Sequence, residues 1–140
     1  MSEIKVDTLT GKTTANDITV TVGATATMSL EQGLAKVWSS FTGTGTPAIS
    51  DGLNGSSITD GGTGNYTFNM SNAMGNSTYG FLGYCRADGT SSTTNYALTS
   101  DVSDTKTASA FQVRTRYASS ASSGVYDPPE ICCEINGDLA

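Results

Sequence analysis

Apolar residues in this chain fall in short alternating runs separated by clusters of Gly, Ser, Thr, Asn and Asp. NYTFNM (Asn65–Met70) sets Tyr66, Phe68 and Met70 on one side and Asn65, Thr67 and Asn69 on the other. That period of two is the signature of a half-buried strand. AFQVRTRY repeats it, with Phe111, Val113 and Tyr117 inward and Gln112, Arg114 and Arg116 outward. EICCEIN places Ile131, Cys133 and Ile135 on one side. TYGFLGYC (Thr78–Cys85) is apolar on both faces, which predicts a central strand. Between these runs lie turn-forming stretches: TGTGTPAISDGLNGS, DGGTG, the long polar ADGTSSTTNYALTSDVSDTKTAS and ASSASSGVYDPP. Short strands with turn signals between them predict an all-β fold. Over 39–140 they describe a small antiparallel β-sandwich or jelly-roll-like domain.

The N-terminal part reads differently. Residues 1–27 hold two short alternations, Ile4/Val6 around Lys5 and Ile18/Val20/Val22 around Thr19 and Thr21, and no large aromatic. Such a segment pairs as strands but builds no core of its own, so it is expected to be an extended arm docking on another surface. Ile4, Val6, Leu9, Ile18, Val20 and Val22 are its candidate anchoring residues. MSLEQGLAKVW (28–38) predicts a short linker helix. Ser29 and Gln32 have capping-box spacing, and Leu30 and Leu34 share a face with Val37 or Trp38 close by. Gly33 limits the helix to about two turns. Its apolar face either packs on its own domain or is shared between subunits around an axis, which makes Leu30, Leu34 and Trp38 a candidate subunit interface.

Composition sharpens this picture. The chain has 140 residues with 22 Thr, 18 Ser and 16 Gly against 14% charged residues, a balance that favours pleated strands and turns. An apolar fraction of 36% is low for a self-sufficient core, so a partner surface or further copies are expected to complete the burial. The net charge is −6 and the basic residues are scattered, with only Arg114 and Arg116 close together. Nucleic acid and anionic membrane are therefore not expected partners. Adjacent Cys132 and Cys133 point to opposite faces of a strand, Cys85 stands alone, and the chain has no His. Zinc is not expected, and reduced, buried thiols are. MSEIKVDTLT lacks an apolar signal region and no run reaches membrane-spanning length, so synthesis in a cytoplasm is expected.

Chemistry-bearing motifs resolve into turns. Gly61-Gly62-Thr63-Gly64 lacks the Asp and the second repeat of a calcium-binding repeat loop, and DGLNGSSITDGG lacks the closing Glu of an EF-hand. TGKTT (Thr10–Thr14) has a GKT triplet without the preceding Gly of a phosphate-binding loop. A hairpin turn accounts for Asp60–Gly64. Ser and Thr abound without a His base, and most of the carboxylates sit in Gly/Ser-rich loops, so neither an enzyme nor a cofactor is expected. The sequons at Asn54, Asn65, Asn69 and Asn76 follow from composition. Tyr96, Tyr117 and Tyr126 lie near polar loops and either hold sugars or finish the core; Tyr96 and Tyr126 are the candidates for outward contacts.

The strings MSEIKVDTLTGKTTANDITVT, LEQGLAKVW, FTGTGTPAISDGLNGSSITDGGTGNYTFNMSNAM and the ending GDLA resemble virion surface proteins of tailed bacteriophages, especially marine ones. The resemblance covers almost the whole chain, and SSTTNYALTSDVSDTK falls outside it as a variable loop. It implies an arm anchored on the particle, an outward β-domain, a trimer and no enzymatic activity. Partners would be the major capsid protein or a tail component. Two functions follow: a capsid decoration (cement or head-fibre) protein, or a short tail fibre or knob contacting host-surface glycans. No shaft repeats separate arm from domain, which favours the first. Either way the expected location is the virion surface, after assembly in the host cytoplasm.

Overall fold

The computed structural model describes residues 4–11, 18–22, 24–30, 33–87, 94–101 and 103–140, and among these it holds eleven strands and no helix. They are β1 (Thr19–Val22), β2 (Ala26–Ser29), β3 (Val37–Thr42), β4 (Ala48–Leu53), β5 (Gly55–Asp60) and β6 (Asn65–Met70). Then follow β7 (Gly80–Arg86), β8 (Asn95–Thr99), β9 (Ala110–Ala118), β10 (Ser123–Val125) and β11 (Glu130–Asn136). The chain divides into two units, Met1–Leu34 and Ala35–Ala140. In the first, β1 and β2 form an antiparallel hairpin with Thr19 opposite Ser29 and Val22 opposite Ala26. The Leu30 N–H donates to the Ile18 carbonyl and prolongs that ladder by one bond.

The second unit is two antiparallel sheets with a common core, consistent with a small β-sandwich. One has the order β4–β3–β11–β7. The other runs β5–β6–β9, with β8 and β10 also pairing β9. Alternation decides what goes inside: Val37 and Phe41 of β3 and Ile131, Cys133 and Ile135 of β11 meet Tyr66, Phe68 and Met70 of β6 and Phe111 and Val113 of β9. Aromatic pairs join the sheets, Phe41 edge-on to Tyr66 at 5.9 Å and Phe81 tilted on Phe111 at 5.0 Å. Burying one such ring contributes about 3 kcal/mol. Phe68 stacks on Phe111, its register partner, at 5.1 Å.

The expected hairpin is present. The Asp60 carboxylate accepts from the Gly62 N–H at 2.8 Å, and Gly62 and Gly64 take φ of 97° and 67°, which L side chains avoid. Two polar anchors tie loops to the core. The Tyr66 hydroxyl reaches Asp127 at 2.5 Å, and burial, ahead of Asp127, pushes this phenol far above its ordinary value. Arg114 grips the buried Asp104 carboxylate through Nε at 2.8 and 3.0 Å and Nη2 at 2.5 Å, fastening the segment before β9 onto that strand.

Three expectations change. The linker helix over 28–38 is absent: Met28 and Ser29 belong to β2, and Val37 and Trp38 open β3. Pairing of Val37 with Ile135 buries Val37 completely, a gain that two turns interrupted by Gly33 do not offer. TYGFLGYC is an edge strand, β7, and its outward apolar side is uncovered. The long polar excursion contributes β8, whose Leu98 packs against the core. The turn expected around 12–17, the capping residue Gln32 and positions 88–93 lie outside the described residues.

Candidate interaction face

The four-stranded sheet turns an apolar surface outward. Its registers place Leu53, Trp38, Glu134 and Leu82 in one row across β4, β3, β11 and β7. The next row holds Asp51, Ser40, Cys132 and Tyr84. Strands about 4.8 Å apart make each row a continuous stripe. Trp38 is 41% exposed, Leu53 49%, Leu82 65% and Tyr84 55%. Side chains of this size are scattered singly on most soluble surfaces; here four stand together.

Between the Trp38 wall and the Leu82/Tyr84 wall a groove of about 610 Å³ follows β11, with Ser40, Cys132 and Glu134 along it. Gly83 alternates with Leu82 and Tyr84 and faces the inner side, where a Cβ would meet the Leu98 side chain at 2.6 Å and the Cys132 carbonyl at 2.7 Å. Glu134 is the charged group in the groove, and its Oε1 accepts from Asn136 Nδ2 at 3.0 Å. At the rim Arg86 Nε pairs with Glu130 Oε2 at 2.8 Å. A hydrogen bond with Cys132, ahead of the negative charge nearby, raises the Tyr84 phenol above its ordinary value. All three cysteines are free. Cys132 faces the groove side, whereas burial, ahead of its neighbour Cys132, pushes the inward Cys133 thiol up to about 12.

The outer face of the other sheet is polar. Asn69 Nδ2 reaches Ser57 Oγ at 3.2 Å and Thr59 Oγ1 at 3.0 Å, and Gln112 Nε2 reaches Asn65 Oδ1 at 2.5 Å. Hydroxyls and amides there satisfy one another across β5, β6 and β9. The sandwich therefore has one apolar and one polar outer side.

Of the residues singled out from sequence, Ile4, Val6 and Leu9 are exposed, Ile18 and Val20 are half-buried in the hairpin, and the Val22 side chain lies outside the described residues. Leu30 is half-buried and Leu34 exposed in the first unit, while Trp38 belongs to the second. No helix joins these three into one face. Tyr96 and Tyr126 are brought together, ring centroids 4.9 Å apart, with Tyr117 6.3 Å from Tyr126. Both are half-buried, and the Tyr126 hydroxyl contacts Cys85 Sγ at 3.2 Å, so these rings are engaged in packing. Leu53, Leu82, Tyr84 and Glu134 escaped the sequence reading. The signal that could have found Leu82 and Tyr84 is the run apolar on both faces, Thr78–Cys85, read as uncovered on one side; Leu53 and Glu134 join them only through the sheet register.

Compared with protein-family models, curated proteins and solved structures, the chain matches none.

Proposed function

We propose that this chain is a non-enzymatic structural protein of a tailed-bacteriophage virion surface, a decoration protein that docks on the particle and stabilises it. The observation that carries this reading is the exposed apolar cluster of Leu53, Trp38, Leu82 and Tyr84 on one outer face of a sandwich whose other outer face is polar. A module with a sticky side and a hydrated side suits a protein held against a large surface. Exposed Ile4, Val6 and Leu9 support the arm as a second point of attachment, by strand addition to a neighbouring sheet edge. Assembly in threes belongs to the same proposal, because simultaneous engagement multiplies a weak single-site affinity.

The test is copy number in purified virions, by quantitative mass spectrometry against the major capsid protein, together with rebinding of the double variant L82S/Y84S to particles stripped of the chain. Hundreds of copies, and loss of rebinding by the variant, are the expected results. A handful of copies would move the protein to the tail and favour a host-contacting knob, in which the polar face of Asn65, Thr67, Asn69 and Gln112 would meet glycans. Absence from the particle would sink both readings.

A further inference from the structure

The groove along β11 has a chemistry more specific than an apolar patch. Its walls are aromatic and aliphatic, Trp38 on one side and Leu82 and Tyr84 on the other, and Glu134 presents an exposed carboxylate between them. A purely apolar partner would bury that carboxylate without an ion partner, which disfavours such a complex. A second copy laid face to face about a two-fold axis through the groove would set Glu134 against Glu134. The complementary occupant carries a cation on an apolar stem. Between the two cationic side chains, arginine fits better: its planar guanidinium is weakly hydrated and stacks on aromatic faces, while its methylenes lie along an apolar wall.

We propose that this groove receives an arginine side chain presented by a partner protein, the guanidinium over Trp38 and Tyr84 and paired with Glu134. The inference rests on the outer face of this sheet being an attachment surface, and it adds what the partner presents there. The chain's own arginines include two already engaged, Arg86 with Glu130 and Arg114 with Asp104.

Trp38 is the only tryptophan in the chain, so its emission reports directly on the groove. The full chain is titrated with N-acetyl-arginine methylamide, and with the citrulline analogue as the neutral isostere. The expected result is a saturable change in Trp38 emission in the millimolar range with the arginine compound alone, weakened about fivefold in E134Q. Equal responses to the two compounds, no response, or an undiminished response in E134Q would overturn the proposal. Particle rebinding separates the two levels. If L82S/Y84S loses attachment while E134Q attaches as the unaltered chain does, the face stands and the arginine falls. If L82S/Y84S attaches normally, the face reading falls, and the arginine proposal with it as a statement about docking.

Discussion

Replacing Arg114 by Leu tests how strongly the sandwich depends on the ion pair between Arg114 and Asp104. The Asp104 side chain is wholly inaccessible and Arg114 retains 29% exposure. In R114L the Asp104 carboxylate keeps the Asp101 N–H, at 2.6 Å, but loses three guanidinium contacts. Stranding a fully buried charge costs about 3–5 kcal/mol, and water reaching the space vacated by the partly exposed Arg114 brings this case down to about 1–2 kcal/mol. For a domain of this size that lowers Tm by roughly 4–10 °C. The assay is urea unfolding followed by Trp38 emission, with D104N and D104N/R114L completing a double-mutant cycle. The guanidinium hydrogen bonds hold the Asp104 carboxyl below its ordinary value. The pair therefore contributes fully above the unfolded Asp value of about 3.9, and its contribution is lost as pH falls through the lower folded value. The gap between wild type and R114L should accordingly begin to narrow below about pH 4 and close only once pH has fallen past the lower folded value. A loss under about 0.5 kcal/mol at pH 7, the range of ordinary surface substitutions, would refute the reasoning.

Three further outcomes are expected. F68A removes a ring with no exposed surface at the centre of the aromatic stack and should cost about 3–5 kcal/mol by the same urea assay. G64A forces an alanine to φ near 67° with its Cβ 2.8 Å from the Thr115 carbonyl, and should cost about 2 kcal/mol without changing the unfolding slope. In the native chain at neutral pH a maleimide should modify Cys132 well before Cys133, whose thiol is buried and raised to about 12; mass mapping that finds Cys133 labelled first would contradict the inward face of β11.

The strands of the sandwich core were legible residue by residue. Tyr66, Phe68 and Met70, Phe111 and Val113, and Ile131, Cys133 and Ile135 all point inward as their alternation required, because a period of two leaves a strand one way to bury its apolar side. The hairpin at Asp60–Gly64 was equally readable, since positive φ at two glycines is a local demand met by local residues. Helix spacing at Leu30, Leu34 and Trp38 misled because it is equally compatible with a strand beginning at Val37, and only the partner strand β11 could decide between them. The same limit hid the apolar face. Leu82 and Tyr84 announce that one side of β7 is apolar, but whether another layer covers it depends on sheet order, and sheet order is set by segments far apart in sequence. Leu53, Trp38, Glu134 and Leu82 come from four strands spread over more than half the chain, so their row exists only once the register is formed. Local alternation thus determined which residues go inside, and tertiary pairing decided which outward residues stand side by side.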